Sequence, residues 1–184
     1  MPFQFSETSL LGVVLIEPKL FSDERGCFME TYKQSEFSAH GIADLFVQSN
    51  QSRSSRGTVR GLHFQKPPQA QAKLVRALAG EIFDIVVDIR AGSPTYGKWH
   101  GTLLSSENRQ MLYVPAGFAH GFCVTSEFAD IFYLTSAEYA PSLEGGILWI
   151  DPDLKIDWPV SVPQLSNRDR GWPRLKDVDS GFRY

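Results

Sequence analysis

Cysteine is almost absent: the 184 residues contain two, Cys27 and Cys123, at a spacing that fits neither a metal site nor a redox motif. So sparse a pair reads as two thiols in a reducing compartment, which places the protein in the cytoplasm. A surplus of positive charge is missing as well. Eighteen Lys and Arg stand against 21 Asp and Glu, a formal charge of -3, and this excludes a nucleic-acid binder that works through bulk positive charge. Long apolar runs are also lacking. The longest, Leu10 to Ile16, is far below the roughly 20 residues that cross a bilayer, and the N-terminus has neither a basic region nor a small-residue cleavage site, so no membrane partner is expected. There is no internal repeat, low-complexity stretch or linker.

What remains is an ordinary globular composition, 42% hydrophobic, 21% charged and 12% aromatic. A chain of this length buries roughly 70% of its unfolded surface in one core, and 1–184 reads as a single domain that needs no disulfide or structural metal. The apolar segments are short, rich in β-branched and aromatic residues, and divided by Gly, Pro, Asn and Ser, the pattern of an all-β barrel or sandwich. Strands are predicted over Val13 to Pro18, Gln110 to Val114, Gly121 to Thr125 and Ile131 to Leu134. Between Lys73 and Arg90 the turn-like Ala79-Gly80 predicts a hairpin, after which Phe83, Ile85, Val87 and Ile89 form an apolar face. One short helix fits Lys33 to His40, ended by Gly41. The last quarter, from about Asp151, is rich in Pro, Asp and Arg and reads as a tail laid over the barrel mouth, where Asp169 would reach residues far earlier in the chain.

Reactive side chains are densest in Gln48-Ser-Asn50, Thr58-Val-Arg-Gly-Leu-His63-Phe-Gln65 and Gln71-Ala-Lys73. Alternation on a strand puts His63 and Gln65 on one face and Arg60, Leu62 and Phe64 on the other. Two polar groups facing inward require a wet interior or a groove, because unpaired burial is costly. A lone histidine has the plainer reading of a core residue satisfied by a carbonyl. A second cluster, Pro115-Ala-Gly-Phe-Ala-His120-Gly-Phe, is equally compatible with a tight hairpin.

These strings resemble the dTDP-4-dehydrorhamnose 3,5-epimerase family of the cupin superfamily. The resemblance is carried by FSDERGCFMET (21 to 31), QSNQSRSSRGTVRGLHFQ (48 to 65), QAKLVRALAGEIFDIVVDIR (71 to 90), SPTYGKW (93 to 99), VPAGFAHGF (114 to 122), YAPSLEGGILWIDPDLKIDWP (139 to 159) and LSNRDRGWP (165 to 173). They span nearly the whole chain in order. The resemblance implies a cupin-type jelly-roll β-barrel with a few short helices and a C-terminal tail. It also implies epimerisation of a dTDP-4-keto-6-deoxyhexose at C3 and C5 through an enolate, a reaction that needs a base, a cation and an acid but no cofactor and no metal. By resemblance His63 is the base, Asp169 its carboxylate partner, Lys73 the enolate-stabilising cation and Tyr133 the acid on the opposite face of the ring. Arg25 and Arg60 would hold the diphosphate, and Gln48 and Asn50 the nucleotide or phosphate. Arg168 stands where the family more often has Lys. Phe28 and Glu30 would form the thymine pocket and Tyr139 would stack on the base, while His120 and Glu144 would line the remaining site. In relatives the segment from Arg25 to Glu30 reaches the neighbouring subunit, which implies a homodimer. Three alternatives stay open: a metal-dependent cupin, disfavoured because Gln65 replaces the second His of a His-x-His pair; a non-catalytic sugar-nucleotide binder; and a mono-epimerase.

Overall fold

The alternation of apolar and polar residues does build an all-β molecule. The computed structural model describes residues 2–184, with two antiparallel sheets stacked face to face. The first runs in the order β1 (Phe3–Glu7), β2 (Val14–Pro18), β10 (Met111–Val114), β7 (Lys73–Ala79), β12 (Phe128–Thr135) and β5 (Gln48–Ser55). In the second the order is β13 (Glu144–Gly146), β6 (Val59–Gln65), β11 (Phe118–Val124), β8 (Glu81–Asp88) and β9 (Trp99–Ser105). A separate exposed hairpin pairs β3 (Phe21–Asp23) with β4 (Gly26–Phe28). Among the described residues helix is confined to α1 (Gln34–Ala39), α2 (Asn167–Arg170) and two 3₁₀ turns. Helix α1 closes on Gly41 at φ +83°, where a glycine is expected, and buries Phe37 against Phe3, Phe5 and Tyr32. Cys27 is exposed and Cys123 buried, and both are free thiols.

Two local expectations are corrected. Ala79-Gly80 does separate two strands, but β7 belongs to the first sheet and β8 to the second, so the turn is a corner between sheets and not a hairpin. Gly80 has φ +71°, and a Cβ there would stand 2.0 Å from the Phe128 carbonyl oxygen. The two faces of β8 consequently meet different cores. Ile82 and Val86 face the interior between the sheets, whereas Ile85, Val87 and Ile89 pack with Leu154, Trp158 and Leu175 of the tail. The tail therefore covers the outer face of the second sheet before α2 brings Asp169 beside β6.

The second correction concerns β6. His120 pairs with His63 and Phe122 with Arg60, so Gly61 and Leu62 of β6 stand opposite Gly121 alone on β11. This extra residue shifts the alternation. Arg60 consequently turns to the same side as His63, while Val59, Leu62 and Phe64 join the core beneath the tail. The close approach of the two strands here depends on glycine. Gly61 has φ +130°, and a Cβ on it would lie 2.6 Å from Gly121 Cα.

Gly61→Ala is expected to cost about 1–3 kcal/mol more than Gly92→Ala. Gly92 also has positive φ (+88°) but has nothing within 4 Å of its would-be Cβ. Urea denaturation of the two variants measures the difference.

Candidate active site

Between the sheets lies a cavity of about 400 Å³, within the range of small-molecule sites. The first sheet contributes Gln48, Asn50 and Ser52 from β5, Lys73 from β7, and Ile131, Tyr133 and Thr135 from β12. Arg60, His63 and Gln65 of β6 face them, with His120 of β11 and Glu144 of β13. Tyr133 is paired across the strands with Asn50, and Thr135 with both Gln48 and Lys73, so the polar residues form adjacent rows on one wall.

His63 is held from behind. Its Nε2 lies 2.5 Å from Asp169 Oδ1, a pair separated by 106 positions in sequence. The LSNRDRGWP segment folds locally as a capped helical turn: Ser166 is the N-cap of α2, accepting from the Asp169 N–H at 3.0 Å and donating to Asp169 Oδ2 at 2.8 Å. Both carboxylate oxygens are thereby used, and Asp169 is 4% exposed. Burial alone would raise its pKa, but the His63 and Ser166 partners outweigh it and hold the carboxyl below its usual range. Because a carboxylate only accepts, the neutral imidazole carries its proton on Nε2, leaving the Nδ1 lone pair free.

The opposite wall carries the cation and the phenol. Burial pushes the Lys73 ammonium down to about 8, against the opposing pull of Asp84 and Glu144. The Tyr133 phenol is raised, again mainly by burial, with Arg60 acting in the other direction. Desolvation exceeds the pull of Arg60, so the net shift of this phenol is upward.

Remaining polar residues fix one another. Arg60 Nε donates to Ser54 Oγ at 3.0 Å. Gln48 donates to Asn50 at 2.9 Å and accepts from the Tyr139 N–H at 2.8 Å. Glu144 receives both the Tyr139 hydroxyl, at 2.8 Å, and Arg168 Nη1, at 2.5 Å. Gln65 spends its amide on backbone groups of Gln69, Glu138 and Ala140, which pins the loop bearing Tyr139.

Ten of the fourteen residues singled out in the sequence therefore line one cavity, and Asp169 supports it from behind. Arg25, Phe28 and Glu30 do not line it within one chain. Arg25 pairs with Asp23 at 2.6 Å on the exposed β3–β4 hairpin, and Phe28 is 65% exposed. The main omission in the sequence reading is Asp84, which is fully buried and lies 2.9 and 3.0 Å from His120 Nε2. Its signal was present: one acid among the interior-facing positions Ile82 and Val86 of an apolar strand. Among the described residues no group of three or more His, Cys, Asp or Glu is arranged to hold a metal ion, and no helix is long and apolar enough to cross a membrane.

Residues 7–177 match the family model for dTDP-4-dehydrorhamnose 3,5-epimerase. The chain belongs to the dTDP-4-dehydrorhamnose 3,5-epimerase family. The enzyme of that name from Pseudomonas aeruginosa is 53% identical over 169 residues, covering 91% of this chain and 93% of the relative. A crystal structure of a 3,5-epimerase from Legionella pneumophila in complex with dTDP-4-keto-L-rhamnose superposes with a TM-score of 0.95 at 45% identity, covering 99% and 98% of the two chains. The dTDP-4-dehydrorhamnose 3-epimerase of Streptomyces niveus is 46% identical over 86% of this chain and 77% of that one. The two facing sheets are thus the jelly-roll barrel of this epimerase family, and the cavity between them is its candidate active site.

Lys73 is charged more readily in the unfolded chain than in the folded one. Folding stability tied to this group is therefore expected to rise with pH between about 8 and the ordinary lysine value of 10.5. Lys73→Met should be more stable than the parent at pH 7 by roughly 1–3 kcal/mol and should lack that alkaline rise. Denaturant titrations at pH 7 and pH 10 provide the check.

Proposed function

We propose that the protein epimerises C3 and C5 of dTDP-4-dehydro-6-deoxy-D-glucose to give dTDP-4-dehydro-L-rhamnose. The observation that carries this reading is the placement of His63, backed by Asp169, on one wall of the cavity that has Tyr133 and Lys73 on the other. Inversion beside a ketone needs proton removal on one face of the ring and return on the other.

In this mechanism His63 Nδ1 takes the proton from a carbon next to the C4 ketone, and the C–H electron pair moves onto the C4 oxygen. Asp169 stabilises the resulting imidazolium and preserves the tautomer that exposes Nδ1. Lys73 stabilises the enolate oxygen in a site largely removed from water, where such a charge is worth several kcal/mol. Its lowered pKa leaves it an ammonium at neutral pH while bringing its acidity closer to that of an enol. Tyr133 then donates its proton to the opposite face of the carbon. A phenol raised by burial remains protonated until that moment, as an acid must. C3 and C5 flank the same carbonyl, so one cation serves both carbons. Arg60 and Arg168 suit the diphosphate, because a guanidinium offers paired donors to phosphate oxygens.

The 3,5-epimerase reading is separated from a 3-epimerase by isotope. In heavy water the product is expected to carry deuterium at both C3 and C5, detected by mass and proton spectra; label at one carbon alone identifies a mono-epimerase. His63→Ala should abolish exchange at both carbons, whereas Tyr133→Phe should allow exchange while slowing product formation. A third consequence concerns pH: kcat/KM should fall as pH rises through about 8, where Lys73 loses its proton, and Lys73→Arg should move that limb upward.

The working unit in this reading is a homodimer in the cytoplasm, consistent with two unbridged thiols. The β3–β4 hairpin presents Phe21 and Phe28, 47% and 65% exposed, beside Arg25. A hairpin with such apolar tips is suited to a partner's cavity, where Arg25, Phe28 and Glu30 would meet the nucleotide. Arg25→Ala is expected to raise KM about tenfold or more with kcat little changed, the loss of one charge-assisted phosphate contact. Steady-state kinetics and the molar mass in solution test this together.

A further inference from the structure

The His63–Asp169 pair is packed on a residue that plays no part in the mechanism above. Trp172 follows α2 by two positions, and its ring centroid lies 6.2 Å from that of His63 at an interplanar angle of 67°. The segment is pinned by the Leu148 N–H, which donates to the Pro173 carbonyl at 2.8 Å. The indole fits because its neighbour has no side chain: a Cβ on Gly146 would stand 2.3 Å from Trp172 Cδ2 and Cε2. Gly146 is also the β13 residue paired with His63 on β6, so the space left by this glycine directly adjoins the histidine. Trp172 is not among the residues that line the cavity.

Its Nε1–H is buried without an acceptor in hydrogen-bond geometry. A buried donor left this way is costly and calls for an explanation. The indole is near enough to Asp169 to favour its carboxylate form. Hydrogen bonds at a catalytic site are often long without ligand and shorten in the complex, which leaves the Asp169 carboxylate as an acceptor for this donor.

We propose that Trp172, seated on Gly146, is a positioning residue that holds the His63–Asp169 pair in the geometry and tautomer required for proton abstraction. The assignment rests on the epimerase reading given above. It is tested in the full-length protein by Trp172→Phe, which keeps a ring over Gly146 but removes the N–H, and by Trp172→Ala, which removes both. The readouts are kcat and KM for the dTDP-4-keto-6-deoxyhexose, the Kd for dTDP, and the ¹⁵N chemical shifts of the His63 ring. Misplacing a base by about 1 Å costs about a hundredfold. Trp172→Phe should lose about tenfold in kcat and Trp172→Ala about a hundredfold, with KM and dTDP affinity within about twofold. The His63 ¹⁵N shifts should move from a single Nε2–H tautomer towards a mixture. A Trp172→Phe enzyme with kcat within twofold of the parent and an unchanged His63 tautomer overturns the proposal, as does a parallel loss of kcat and dTDP binding, which would mark a merely structural residue. If the parent itself lacks epimerase activity, the functional reading fails, while the tautomer measurement still decides whether Trp172 positions His63.

Discussion

The contact between His63 and Asp169, 2.5 Å across 106 positions of sequence, is the constraint on which the site depends. It joins a strand of the barrel to a helical turn in the tail, and it requires the tail to be fully laid down. The apolar residues Leu154, Trp158 and Leu175 bind the tail to the outer face of the second sheet. Ser166 then caps α2 and takes the second carboxylate oxygen. Packing energy at the back of the sheet is thereby converted into the orientation of one imidazole at the front. The proposed chemistry uses that orientation, because only a histidine with its proton fixed on Nε2 offers Nδ1 as a base.

The two sheets divide the labour. In the proposed mechanism one presents the base and the other the cation and phenol, and stacking the sheets creates the separation that a proton transfer on opposite ring faces demands. Burial sets the electrostatics of the second wall, lowering Lys73 and raising Tyr133. Both shifts oppose ionised forms that water would otherwise favour, and both come from the apolar core around the cavity. Asp84 limits the effect on Lys73, and its contact with His120 places a second His–carboxylate pair beside the first, since His120 and His63 are partners across β11 and β6. The carboxylates are spent on cations or histidines, which leaves Arg60 as a cavity cation bonded only to the Ser54 hydroxyl.

The sequence revealed the strands whose apolar residues alternate, such as β2, β10 and β12, and the short helix closed by Gly41. It did not reveal β5, Gln48–Ser55, because QSNQSRSS has no apolar face: its inward residues line a polar cavity. The glycine at position 80 looks the same in a hairpin and in a corner between sheets, and only the partners of β7 and β8 distinguish them. Arg60 and His63 share a face through one extra residue in β6, a register shift that period-two counting cannot anticipate. The catalytic candidates were legible chiefly through motif resemblance; bare propensity would have left Asp169 as a surface turn. Arg25, Phe28 and Glu30 lie away from the cavity within one chain. Asp84 and Gly146 matter through neighbours that only the folded chain supplies.

The most direct test of the mechanism is a crystal structure of the protein with dTDP-glucose. This ligand lacks the C4 ketone, so its ring C–H bonds are not acidified and it cannot turn over. The account predicts His63 Nδ1 and the Tyr133 hydroxyl on opposite faces of the hexose, with the Lys73 ammonium at the C4 oxygen. A hexose bound outside the cavity, or one with His63 and Tyr133 on the same face, would contradict it.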